Sequence, residues 1–143
     1  MYEARAMSSA SAEACWEAWI DVAGWSRFDH IKAAAIDGEF RPGAIITSKA
    51  EGLPRSKLRV TYAERPALWL DESRFPGMRM TFSHVIRTES GGTSLTERVE
   101  IDGPLGHVVG PLLRRKLEAL FKASVASVAR SASAEASARR PTT

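Results

Sequence analysis

The chain has 143 residues, a formal net charge of +3 and a single cysteine; 44% of its residues are hydrophobic and 26% charged. That suits one domain of an ordinary water-soluble kind. It excludes an intramolecular disulfide, and no apolar run approaches the ~20 residues of a membrane-spanning helix.

Further classes lose their support on motif grounds. The isoelectric point is about 9.4. The basic residues are nevertheless dispersed, with Arg114-Arg115-Lys116 and Arg139-Arg140 the densest runs, so a solvated face is expected rather than nucleic-acid binding. Cys15 and the three scattered histidines lack ligand spacing, and no metal or cofactor is expected. No GxGxxG, Walker loop or GxSxG is present. The N-terminus has no apolar signal core, and the expected location is cytoplasmic.

Residues 2–8 read as a first strand. Ser9 or Ser11 can cap a short helix over residues 12–21, in which Cys15, Trp16, Trp19 and Ile20 recur at helical spacing. Cys15 is expected to be a small packed residue. Gly24 breaks this helix, and "GWSRFD" predicts another turn with Trp25 and Phe28 inward. The period then changes to that of strands. "AAAIDGEF" and "GAIITSKA" are short apolar runs split by glycine and proline. In "SKLRVTYAE", Leu58, Val60 and Tyr62 alternate with polar neighbours. "LWLDESRF" and "MRMTFSHVIRT" flank Pro76-Gly77, and the latter places Met80, Phe82, His84 and Ile86 on one face. "TSLTERVEID" follows the Gly91-Gly92 pair, a hairpin signal, with Leu95, Glu97, Val99 and Ile101 on one face.

Pro104 suits the first turn of a long helix. Leu105, Val108, Val109, Leu112, Leu117, Leu120, Phe121, Val125 and Val128 recur at three-and-four spacing along it, with Pro111 inside. Beyond Ser131 large apolar residues vanish, which predicts a domain over 1–131 and a flexible tail over 132–143. The order implies an α+β fold: about seven antiparallel strands in a curved sheet, covered by the long C-terminal helix.

"ASAEACWEAWIDVAGWSRFD", "GEFRPGA", "FPGMRMTFSHVIR" and "GGTSLTERVEIDGPLG", in that order and followed by the final helix, resemble the SRPBCC superfamily, the START-like or birch-pollen-allergen-like proteins. They are most similar to its bacterial polyketide cyclase/dehydrase-like branch. Cys15 stands where that family often has Val, and Phe28 where it often has a second Trp; both keep the helix face apolar. The resemblance implies a helix-grip fold with an elongated cavity between sheet and helix, and binding of an apolar small molecule. Only some members are enzymes, and no shared catalytic residue can be carried over.

Taking Gly91-Gly92 as a two-residue loop pairs Ser90 with Thr93, Ile86 with Glu97, His84 with Val99 and Phe82 with Ile101. His84 then lies diagonal to Glu97 on the inward face, at roughly 7–8 Å. An imidazole and a carboxylate on an otherwise apolar wall can anchor a ligand or act as acid and base, or form a structural pair. The expected cavity lining is Trp25, Phe28, Tyr62, Trp69, Phe82, His84, Glu97, Val99 and Leu112. A two-residue turn at Pro76-Gly77 would set Trp69 opposite His84 and turn Asp71 inward. His30 and His107 are expected to be exposed. The partner is a hydrophobic small molecule, without nucleic acid or stable membrane insertion. The alternative is a cyclase- or dehydratase-type enzyme using His84 and Glu97, with Asp71 or Tyr62 assisting.

Overall fold

The computed structural model describes residues 2–139. In chain order it comprises β1 (Tyr2–Ser8), α1 (Ala12–Ile20), a 3-10 turn (Val22–Arg27), β2 (Ile31–Ile36), β3 (Ile45–Ala50), β4 (Ser56–Glu64), β5 (Leu68–Phe75), β6 (Met78–Glu89), β7 (Gly92–Asp102) and α2 (Gly106–Arg139). The seven strands form one sheet in the order β1-β7-β6-β5-β4-β3-β2, and every neighbouring pair is antiparallel. The connections from β2 to β7 are short, as consecutive antiparallel pairing requires. β1, separated from β2 by α1, returns to pair with β7 at the far edge. This is the α+β helix-grip arrangement expected from the order of elements.

Ser11 caps α1: its Oγ accepts from the Ala14 amide at 3.1 Å, satisfying one of the amides a helix start leaves unpaired. Helical spacing then puts Cys15, Trp16, Ala18 and Trp19 on the buried face. α2 packs chiefly along β1 and β7 and against α1. Leu117, Phe121, Val125, Val128 and Ala132 form its buried row. Because α2 lies toward the β1–β7 side, the concave faces of β3 to β6 are not filled by it, and space remains between them.

Four expectations are corrected. The first concerns the β6–β7 hairpin, which turns on Ser90-Gly91 and not Gly91-Gly92. Glu89 pairs with Gly92, Ile86 with Leu95, Phe82 with Val99 and Met80 with Ile101, so His84 stands directly opposite Glu97. The reason is local. A Cβ on Gly92 would lie 2.4 Å from the Ser8 carbonyl oxygen; this glycine is needed where β1 crosses close to the strand, and the preceding pair makes the turn. The slip preserves side-chain parity, so the inward and outward sets are those expected.

The second correction is Tyr62. Val60 pairs with Asp71 but Tyr62 with Leu70, so one extra residue, Thr61, bulges out of β4. A bulge reverses the alternation beyond it. Ala63 takes the inward place opposite Trp69, and Tyr62 is exposed at 43%, its hydroxyl donating to Glu64 Oε2 at 2.8 Å.

Third, Leu112 is 76% exposed, and Leu105 and Val108 are exposed with it. The inward row in the first turns of α2 is instead Val109 and Leu113, which run at i, i+4 into Leu117 and Phe121; Leu105, Val108 and Leu112 lie on the flank of that row.

Fourth, α2 does not end near Ser131. α2 continues to Arg139, Ala132 is buried, and Ser133 Oγ bonds Ser8 Oγ at 2.8 Å and accepts from the Ser9 amide at 3.1 Å. Small residues suit this stretch because the helix backbone approaches the end of β1 there. Residues 140–143 of the expected tail lie outside the described residues.

Candidate functional site

The space between the sheet and α2 is a cavity of about 370 Å³, within the range of small-molecule sites. Trp19, Trp25, Phe28, Phe75, Phe82 and Phe121 supply aromatic surface to it, with Met78, Met80, Leu58, Leu113, Leu117 and Leu120 between them. Phe75 and Pro54 line the cavity and are also exposed, so it reaches solvent beside the β5–β6 turn and the β3–β4 loop.

The buried polar part of the lining comes from three adjacent strands: Asp71 and Ser73 on β5, His84 on β6 and Glu97 on β7, with Ser124 of α2 facing them. Register brings them together. Glu97 opposes His84 and Trp69 opposes His84 on the other side, two residues from Asp71. Relative exposures are 2% for Asp71, 5% for His84 and 6% for Glu97.

His84 is fixed on several sides. Its ring stacks on Trp69 with centroids 3.5 Å apart and planes 2° apart, and meets the edge of Trp19 at 5.1 Å. Its Nδ1 lies 3.2 Å from the Trp69 carbonyl oxygen. A carbonyl only accepts, so the proton of the neutral imidazole sits on Nδ1 and Nε2 is the bare nitrogen. Nε2 faces Glu97 Oε1 at 3.7 Å, beyond hydrogen-bond length, and Oε1 accepts from Ser124 Oγ at 3.1 Å.

Burial sets the protonation of this group. It pushes the Glu97 carboxyl from its ordinary 4.5 up to about 8, against the opposing pull of the Ser124 hydrogen bond. It pushes the His84 imidazole from 6.5 down to about 3, against the pull of the Trp69 carbonyl. Asp71 is raised well above the ordinary range, by burial first and then by the neighbouring Glu97 charge. Desolvation thus outweighs every local partner. At neutral pH His84 and Glu97 are both uncharged, and their proximity is not an ion pair. Chemically, Glu97 holds a proton it can donate, and His84 Nε2 offers a lone pair. Asp71 Oδ1 is buried without a hydrogen-bond partner among the described residues, as is Trp69 Nε1.

Of the expected lining residues, the structure brings Trp25, Phe28, Phe82, His84 and Glu97 to the cavity. Trp69 and Val99 are wholly buried and outside the lining, forming wall behind it. Trp69 acts on the cavity through its stack on His84. Tyr62 and Leu112 face away. Trp25 is held by its indole Nε1, which donates to the Trp19 carbonyl at 3.0 Å.

Two further groups belong to the lining. Asp71 turns inward because Phe75 pairs directly with Met78 across a two-residue turn. His30, expected to be exposed, is half-buried on the cavity wall. It lies nearly parallel to Phe28, with centroids 5.9 Å apart, and burial lowers its pKa. Its position in "RFDHI", alternating with Phe28 just before β2, was the available signal. Cys15 is buried, and that burial pushes its thiol up, which disfavours the thiolate a nucleophile needs. His107 is exposed.

No family model and no curated protein sequence matches the chain. Solved structures do match its fold. The di-domain ARO/CYC StfQ from the steffimycin biosynthetic pathway superposes with a TM-score of 0.77 at 12% identity, over 95% of this chain and 52% of StfQ. The chain thus spans about half the length of that protein. Norcoclaurine synthase from Thalictrum flavum, in complex with dopamine and hydroxybenzaldehyde, matches with a TM-score of 0.67 at 12% identity, over 99% of this chain and 88% of the synthase. Ara h 8.0201 matches with a TM-score of 0.63 at 16% identity, over 89% of this chain and 95% of the other. The chain therefore shares its fold with these proteins, the helix-grip arrangement that the resemblance of its motifs implies. No helix among the described residues is long and apolar enough to cross a membrane.

Proposed function

We propose that the protein binds a hydrophobic or amphipathic small molecule in the cavity between sheet and α2. The observation that carries this reading is the cavity itself: about 370 Å³, walled by aromatic and aliphatic side chains with a small polar cluster on one side. A packed interior leaves few voids larger than a water molecule. Keeping such a space open forfeits packing contacts that a filled core would make, and occupancy by a ligand restores them. The matched structures lend general support, since they include ARO/CYC proteins and a synthase holding small aromatic molecules.

A calorimetric panel of fatty alcohols, isoprenoids and polyketide-like aromatics tests the proposal, with Leu120→Trp as a space-filling control. Saturable binding to the parent chain, abolished in the control, supports it. A panel with no saturable member, or one unaffected by filling the cavity, removes it.

A second reading is favoured by one specific observation, the oppositely shifted pair in the cavity. Glu97 retains its proton near neutrality, and 3.7 Å away His84 Nε2 carries a lone pair with no proton of its own, so a donor and a weak acceptor stand side by side in one wall. On this reading the protein is a cyclase- or dehydratase-type enzyme, with Glu97 as general acid and His84 as base, and Asp71 the third group within the same wall. Tyr62 plays no part, because it lies on the outer face. Unchanged turnover of an authentic substrate by His84→Ala would remove this reading and leave the first intact.

A further inference from the structure

Among the described residues, the titratable side chains lining the cavity are two buried carboxyls, the buried His84 imidazole and half-buried His30, with no lysine or arginine; the other polar lining groups are serine hydroxyls. This asymmetry in charge type has a consequence for the ligand. An anionic headgroup brought to Asp71 and Glu97 meets no countercharge. His84 cannot serve as one, since its Nδ1–H is committed to the Trp69 carbonyl and the ring is enclosed by Trp19 and Trp69. A cationic or hydrogen-bond-donating group meets two carboxyls, each with an accepting oxygen even when it holds its proton, and a bare ring nitrogen. Asp71 Oδ1 is unpartnered among the described residues and belongs to the cavity wall; Glu97 and the bare Nε2 of His84 are 3.7 Å from each other. Trp19 and Trp25, also in the lining, are indoles, the side chains whose ring faces attract cations best.

We propose that Asp71, Glu97 and His84 Nε2 form a seat for a hydrogen-bond donor on an otherwise apolar ligand, an amine above all, and that the cavity rejects carboxylates. The inference rests on the ligand-binding reading of the cavity and adds the polarity of the headgroup. An incoming ammonium gains a carboxylate partner when one of the two buried carboxyls ionises. A carboxylate ligand adds a third acidic group to the same unscreened space, and leaving a buried charge unpaired is the costlier outcome.

The test compares naphthol, naphthylmethylamine and naphthoate by calorimetry at neutral pH. The three share one flat apolar body suited to the aromatic walls and differ in headgroup. The expected order is amine, then naphthol, then naphthoate, with naphthoate at least about tenfold weaker than the amine. In Asp71→Asn combined with Glu97→Gln, the preference for the amine is expected to collapse to within about threefold while naphthol binding persists, because the amide oxygens still accept. Glu97→Gln alone serves if the double variant does not fold. Naphthoate binding as tightly as the amine, or an amine preference that survives the substitutions, overturns this inference and leaves the cavity reading standing. If naphthol and both its relatives fail to bind, the two fall together.

Discussion

Glu97→Gln should flatten the dependence of stability on pH. In the folded chain the Glu97 carboxyl is raised to about 8 from its ordinary 4.5, chiefly by burial. A carboxyl raised on folding favours the folded state below its unfolded pKa, where both states hold the proton. That advantage is lost as pH climbs from about 4.5 through 8, because the unfolded chain releases the proton while the folded chain retains it. Each pH unit in that window costs about 1.4 kcal/mol, so the step from pH 5 to pH 8 costs roughly 4 kcal/mol through this one group. The glutamine side chain of the variant is neutral throughout and can keep the Ser124 hydrogen bond. His84 has the opposite linkage: its depressed value contributes stability present above 6.5 and lost as pH falls toward 3. Asp71, raised like Glu97, adds to the loss at high pH. His84 cancels in the comparison, whereas Asp71 loses in the variant the part of its shift that comes from the Glu97 charge, which widens the difference in the same direction. Urea unfolding at pH 5 and pH 8 measures the effect: the parent should lose roughly 4 kcal/mol more than Glu97→Gln over that interval. Parallel losses would show that Glu97 is ionised in the folded chain at neutral pH, and the desolvation argument for the site would be wrong.

Other substitutions read out the packing and the backbone. Phe121 is 1% exposed and meets Phe82 edge-on at 5.9 Å, so Phe121→Ala should cost about 3 kcal/mol by denaturant unfolding, toward the lower end for such a change because one side already faces open space. Leu117→Ser should cost several kcal/mol and Leu112→Ser less than about 0.5 kcal/mol, following their 3% and 76% exposures; similar costs would contradict the facing of α2. Gly91 and Gly92 both have positive φ, 87° and 153°, but only Gly92 has a backbone oxygen within 2.4 Å of where a Cβ would lie. Gly92→Ala should therefore lower the melting temperature more than Gly91→Ala, and the reverse order would place the hairpin turn wrongly. Ending the chain after Ser131 removes buried Ala132 and the Ser133 contacts to Ser8 and Ser9, and should destabilise by about 2 kcal/mol in a thermal melt.

The alternation of apolar residues in β6 and β7 makes the inward set readable, because a period of two survives any slip of register by an even count. His84 and Glu97 can therefore be placed on one face, though as diagonal and not direct neighbours. Which two of Ser90, Gly91 and Gly92 form the turn depends on the approach of β1 from residue 8, which a local pattern does not contain. Tyr62 is misplaced for a related reason: "LRVTYA" alternates without interruption, and the bulge at Thr61 leaves no trace in hydrophobicity. In α2 two apolar rows overlap in the first turns, and spacing alone does not say which one meets the sheet. Past residue 131 the loss of large side chains looks like a loss of structure, whereas Ala132 and Ser133 are small because β1 ends against them. Asp71 depends on the length of the Pro76-Gly77 turn, and its inward position follows once that turn is two residues long.

Whether a small molecule enters the space between the sheet and α2 is the most direct question to put to the protein. An isotope-labelled sample titrated with naphthol, followed by nuclear magnetic resonance, decides it. Saturable shifts should concentrate at the Trp25 indole N–H, the Met78 and Met80 methyls and the Leu117 and Leu120 methyls, all of the cavity lining. The exposed Val108 and Leu112 methyls should stay still. Shifts confined to exposed groups, or none that saturate, would contradict ligand binding in the cavity.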